Sequence, residues 1–292
     1  MGVVSISNPK LKARITPIRA RPVDFDLQTA YTKNSLTIDS PQMRTICAAA
    51  AEHSIAVCVG FSENYKNSLY IAQAIISATG EIQMTRRKLK PTHMERTVFG
   101  DGTGNSLKNV VDVEGVGRVG ALACWEHTQP LLKYHTALLR EDIHVAAWPF
   151  AYAHQPGPAL WSMSREGCRN LSQTYAIESQ TFVLHTMSVC SNAGIERMGT
   201  AGSFMGAAGG GSSAVFGPDG RQLSEDIPEN EEGIIYADLD FDEILRAKGF
   251  LDICGHYSRP DLLWLGVDGQ EKLHKRTHQD RMLTESGPEK AA

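Results

Sequence analysis

Apolar residues along this chain fall into short separate runs, most of a length that suits strands. Residues 118–123 (Arg-Val-Gly-Ala-Leu-Ala) are mostly small or branched without polar alternation, the pattern of a strand buried on both faces. Similar runs occupy 55–61, 143–148 and 181–187, and further strands are expected at 68–77, 82–88 and 110–113. Leucines at helical spacing predict a helix over 130–140. Asp39 or Ser40 can cap a second one, opened by Pro41 and running to about His53, and a longer helix is expected over 160–179. Turn chemistry at 78–81 and 114–117 joins neighbouring strands, and Pro149 stops the run at 143–148. Beyond a glycine-rich loop at 199–211, segments 213–216 and 233–239 read as a closing meander around the turn 217–220, with a short helix at 241–248. Strands alternating with helices, with hairpins inserted, predict an α/β or α+β layered fold.

Period fails at both ends. Residues 1–33 sustain neither a 2 nor a 3.6 repeat and are expected to be irregular, 34–265 to form one domain, and 266–292 to be a polar tail. An Arg-rich, acid-poor start can be a transit peptide, but Pro17, Pro22, Asp24 and Asp26 weaken that reading. The 292 residues are 42% hydrophobic and 21% charged, enough for a substantial core. A net charge of -4 argues against a broad nucleic-acid footprint. No apolar run approaches the ~20 residues that span a bilayer, so no membrane partner is expected. Six cysteines without a C-x-x-C pair read as free thiols in a reducing compartment, hence the cytoplasm.

The chemistry gathers at the end of the run 118–123. Cys124 stands between a strand and a helix, where a helix N-terminus favours thiolate and the rim of a sheet exposes side chains. The plain alternative is a buried small hydrophobe. Trp125, Glu126 and His127 speak against it, because a carboxylate and an imidazole in a packing turn must be hydrogen-bonded or wet. A second cluster, Arg86, Arg87, Lys88 and Lys90, ends the strand 82–88 and precedes Pro91-Thr92-His93-Met94-Glu95-Arg96. A lysine brought beside a cysteine lowers the thiol pKa and can bind an anionic intermediate. Other chemistries lack their signatures. Gly100-Asp101-Gly102-Thr103-Gly104 has the wrong spacing for a dinucleotide fingerprint, 206–211 lacks a P-loop ending, and neither Gly-x-Ser-x-Gly nor a metalloprotease His pair occurs.

Taken together these segments resemble the nitrilase branch of the carbon–nitrogen hydrolase family. The matching stretches run from Arg87 to Gly100, then Cys124-Trp125-Glu126-His127, then His144-Val145-Ala146-Ala147-Trp148-Pro149, with 216–220 and 255–261 in support. The resemblance implies an α-β-β-α sandwich whose protomers pair so that the sheets make a four-layer core, and assembly into a homo-oligomer of dimer size or larger. It implies hydrolysis of a small-molecule nitrile to a carboxylic acid and ammonia through a cysteine thioimidate, with no metal and no cofactor. Cyanide hydration, amide hydrolysis, or a catalytically impaired subunit of an oligomer are the alternatives. Cys124 matches the family's nucleophile, Lys90 its lysine and Glu95 a supporting glutamate; Glu126, His127 and Trp148 are expected to support the site or bind substrate. The family's general-base glutamate lies in an upstream Phe-Pro-Glu segment, and no such tripeptide occurs in this sequence. A shortened chain, or a relative that has lost the base, is therefore expected. A burst of ammonia with little turnover would follow, unless Glu63 or Glu126 takes over.

Overall fold

The computed structural model describes residues 2–3, 24–202 and 206–273. Fifteen regular elements follow one another there, short 3-10 turns aside. They are β1 (Gly2–Val3), α1 (Phe25–Asn34), α2 (Pro41–Glu52), β2 (Val57–Tyr65), β3 (Ser68–Ile76), β4 (Ile82–Arg87), β5 (Val110–Val113) and β6 (Gly117–Ala123). Then come α3 (Pro130–Leu138), β7 (Ile143–Trp148), α4 (Arg165–Ser179), β8 (Phe182–Met187), α5 (Asn192–Met198), β9 (Ala214–Phe216) and α6 (Asp242–Phe250). The strands form two sheets, ordered β1-β2-β3-β4 and β5-β6-β7-β8-β9. In the second, β6, β7 and β8 run parallel while β5 and β9 flank them antiparallel. A parallel centre covered on both faces is why those three strands read as continuous apolar runs.

Three apolar clusters separate four layers. Met43 and Ala50 of α2 pack on Val57, Val59, Ala74 and Ile76, the outer face of the first sheet. Cys58, Ile75 and Met84 from its inner face meet Val119, Ala121, Val145 and Phe182 of the second sheet. The far side of that sheet presents Leu122, Ala146, Trp148 and Val183 to Leu132 of α3 and Cys168, Tyr175 and Ala176 of α4. The layering is thus α-β-β-α. All four layers belong to one chain, so stacking the two sheets requires no second protomer, contrary to what the resemblance implied.

Several boundaries differ from expectation, each for a local reason. Residues 1–33 were expected to be irregular, yet α1 begins at Phe25, where the Asp24 side chain caps the Leu27 N–H at 2.9 Å. None of its residues is buried, so it shows no apolar stripe to read; residues 4–23 lie outside the described set. The helix expected over 160–179 starts at Arg165, because Ser164 caps the Gly167 N–H and interrupts it. Segment 233–239 forms no strand, although Ile235, Ala237 and Leu239 still pack on the inter-sheet core. Strand β4 stops at Arg87, one residue short of the expected 82–88, and this bears directly on the site. Among the described residues no helix is long and apolar enough to cross a membrane.

Candidate active site

Strand β6 delivers Cys124 to the rim of the second sheet. There the chain turns into a 3-10 helix, Cys124–Thr128, and Cys124 adopts φ +55°, a left-handed conformation that L residues other than Asn and Asp rarely hold. Cys124 is 8% exposed. Burial pushes its pKa up to about 11, opposed chiefly by the charge of Lys88, while Glu95 and Glu126 add to the rise and the Trp125 N–H works against it. The turn therefore does not make a resting thiolate, as its position beside a helix suggested. A buried thiol keeps its proton until a base removes it.

The lysine beside this thiol is Lys88. Alternation along β4 turns Met84 and Arg86 inward, and the Lys88 N–H, still bonded to the Ile71 carbonyl at 2.7 Å, carries the register one residue beyond the strand. Its side chain is 1% exposed, and Nζ lies 2.6 Å from Glu95 Oε2. Lys90 is elsewhere. The chain bends after Lys88, alternation ends, and Lys90 lies 65% exposed with its ammonium on Asp101 at 2.6 Å. The glycine-rich stretch 100–104 has a role here too. The Gly102 N–H donates to the Lys88 carbonyl at 2.9 Å, and a Cβ at Gly102 would lie 2.8 Å from the Arg87 oxygen. That close approach holds the Lys88 backbone from outside.

Glu95 comes from the 3-10 helix His93–Thr97, where its Oε2 also accepts the Thr92 N–H at 2.6 Å. Its side chain remains 32% exposed, open enough to exchange a proton with water or substrate. Glu126 differs. It accepts both Arg86 Nη atoms at 2.7 and 2.8 Å, the Leu89 N–H at 2.9 Å and the Ala123 N–H at 2.8 Å. Burial alone would raise this carboxyl, but the Arg86 charge and these bonds outweigh it and hold it below the usual range. With both oxygens filled, Glu126 ties the end of β4 to the end of β6 and has no lone pair left for water. Glu63, the other expected stand-in base, pairs with Arg87 at 2.7 Å, a side chain that alternates away from inward-facing Arg86.

His127 donates toward the Cys124 carbonyl at 2.8 Å, and Trp148 stacks on its ring at a centroid distance of 5.2 Å. Trp148 also meets half-buried Trp125 edge to face at 6.3 Å, so two indoles stand in one cluster with Cys124. A cavity of about 610 Å³ on the outer side of α4, lined by Trp161, Arg165, Arg169, Ser212 and Glu229, includes none of Cys124, Lys88 and Glu95. Its arginines are already neutralised by Glu166, Glu229 and Asp226. No group of three or more His, Cys, Asp or Glu that could hold a metal occurs among the described residues.

Comparison with known proteins places the geometry in context. The family model for carbon–nitrogen hydrolases matches residues 15–248. An arylacetonitrilase of Aspergillus niger is 62% identical over 260 residues, covering 89% of this chain and 79% of that protein. Another, of Aspergillus kawachii, is 59% identical over 270 residues, covering 92% and 82%. Among solved structures, a carbon–nitrogen hydrolase of Helicobacter pylori superposes with a TM-score of 0.64 over 85% of this chain and 80% of that one. At 17% identity that likeness speaks to the fold alone. On the family match and on relatives of this identity and coverage, the chain belongs to the carbon–nitrogen hydrolase family, in its nitrilase branch.

Proposed function

We propose that the chain hydrolyses an arylacetonitrile to the arylacetic acid and ammonia, with Cys124 as nucleophile, Lys88 as the cation beside it and Glu95 as the proton acceptor. The observation that carries this reading is the Lys88–Glu95 pair, 2.6 Å apart, both acting electrostatically on the buried Cys124 thiol. Cys124 Sγ adds to the nitrile carbon, and its proton passes by way of Glu95 to the nitrile nitrogen, giving a thioimidate. One water adds to that carbon and nitrogen leaves as ammonia. A second water splits the resulting thioester, releasing the acid and restoring the thiol, so one nitrile and two waters become one acid and one ammonia. Lys88 and the Trp125 N–H face the charge that develops in the addition steps. Among the described residues Glu95 is the carboxylate with both an open face and contact with Lys88, so it replaces Glu63 and Glu126 as the candidate for activating water.

The relatives support nitrile hydrolysis over cyanide hydration or amide hydrolysis. The aryl preference rests on those relatives and on the Trp125–Trp148 pair, which offers ring edges and faces to an aromatic substrate. A homo-oligomer in a reducing compartment completes the proposal, supported by exposed apolar side chains and six unpaired cysteines. The test is ammonia and phenylacetic acid production from phenylacetonitrile. The chain should give both in equal amounts and Cys124→Ala neither; an active alanine variant would remove the nucleophile from Cys124.

A further inference from the structure

Behind Cys124 runs a line of buried polar groups that the steps above leave unused. His127 Nδ1 lies 2.8 Å from the Cys124 carbonyl oxygen and His127 Nε2 3.0 Å from His144 Nε2. His144 Nδ1 lies 2.8 Å from Glu141 Oε2, and the Tyr175 hydroxyl donates to Glu141 Oε1. All four side chains are buried. The rings hold one another in place, His144 stacking on Tyr175 at 4.0 Å. Room for the carboxylate comes from Gly120 on β6, where a Cβ would fall 1.8 Å from Glu141 Oε2. A glutamate and two histidines brought into line through an apolar core need a reason, since each must be desolvated.

The bonds run in one direction. A carbonyl oxygen only accepts, so His127 carries its proton on Nδ1. Burial first, and His144 second, hold the His127 pKa well below its ordinary value, so the ring is neutral and Nε2 is bare. His144 must then donate from Nε2, with its Nδ1 lying 2.8 Å from Glu141 Oε2. The opposite tautomer of His127 would set two N–H groups against each other and leave a lone pair facing the Cys124 carbonyl.

We propose that Tyr175, Glu141 and His144 fix the tautomer of His127, so that its Nδ1–H holds the Cys124 carbonyl and keeps the nucleophile in its left-handed turn. His127, His144 and Glu141 are positioning residues. They act through the Cys124 backbone, and the proposal rests on Cys124 being the nucleophile.

The experiment compares Glu141→Leu in two backgrounds, the natural chain and His127→Asn. The asparagine amide nitrogen takes the place of Nδ1 and can donate to the Cys124 carbonyl without any choice of tautomer. In the natural background Glu141→Leu should lower kcat for phenylacetonitrile by about 10²-fold at nearly constant KM, the scale of a small misplacement of reacting groups. Glu141→Gln, which can both donate to His144 and accept from Tyr175, should recover most of that loss. In the His127→Asn background the effect of Glu141→Leu should shrink to about twofold or less, because the chain it breaks is no longer needed. Equal losses in both backgrounds would mean that Glu141 only supports packing, and would overturn the proposal. Solid-state 15N NMR of the unaltered protein needs no variant: a neutral His127 protonated on Nδ1 supports the chain, and an Nε2–H ring or an imidazolium refutes it. Turnover by Cys124→Ala would instead defeat the nucleophile assignment and leave the tautomer result standing.

Discussion

A thiol as buried as that of Cys124 is a weak nucleophile until a neighbour takes its proton. With its pKa pushed up to about 11, it stays protonated through the neutral range in the free protein. Alkylation of Cys124 by iodoacetamide, followed by peptide mass spectrometry, should therefore climb about tenfold per pH unit from neutrality toward pH 11. A plateau below pH 8 would show a preformed thiolate and contradict this. Half-buried Cys47 and Cys254 compete for the reagent, so total labelling is no measure of the site. If Glu95 is the proton acceptor proposed above, Glu95→Gln should lower kcat by about 10²–10⁴-fold, the usual worth of a general base, and an unchanged kcat would place the base elsewhere. At this scale the place of Cys124, at the end of a strand and among polar neighbours, was readable from the sequence. The choice between Lys88 and Lys90 was not. Both follow the same strand, and which one faces the thiol depends on where β4 stops pairing, which single-residue spacing does not reveal. His144 and Glu141 left a fainter signal, a histidine inside an apolar strand with a glutamate three residues before it.

Between elements, the two sheets are joined at the site by one buried ion pair. Glu126 at the end of β6 holds Arg86 of β4 in both directions, and Arg86 reaches on to Gln73 of β3 at 2.7 Å. Glu126→Leu leaves that arginine without its counter-charge and should destabilise the fold by about 3–5 kcal/mol, measured by urea unfolding. Pairing it with Arg86→Met should recover a large part of the loss, because no uncompensated charge then remains. A single variant as stable as the natural chain would show that the pair does not join the sheets. Strands β2 to β9 were legible, β7 to the residue, because apolar runs closed by turns leave few choices, although the strand expected over 233–239 does not form. What escaped were elements without an apolar period. Helix α1 buries nothing, and α5 follows from a Ser191 cap that accepts the Gly194 N–H at 3.1 Å.

At the scale of the whole molecule, buried thiols make stability depend on alkali. Burial raises Cys58 and Cys168 to about 12 and Cys124 to about 11, against the usual 9.0. A pKa raised on folding favours the folded state fully below the unfolded value and loses that contribution as pH climbs through the folded one. The melting temperature should accordingly begin to fall above about pH 9, and Cys58→Ala should weaken the fall; an unchanged pH dependence would count against these thiols. The large apolar side chains divide sharply in exposure. Trp148 is buried and Trp125 half-buried, whereas Trp264 and Phe250 are exposed by 79% and 88%. Apolar surface of that kind suits an interface, and sedimentation should show a dimer or larger species, where a monomer of 31.9 kDa would contradict the oligomer. The site assignment itself meets its most direct test in one pair of variants assayed for ammonia release from phenylacetonitrile. Lys88→Met should lower kcat by about 10²-fold or more while Lys90→Met leaves it within about twofold, as expected when a preorganised charge, but not an exposed one, faces the reacting atoms. Equal losses, or a loss in Lys90→Met alone, would contradict the account.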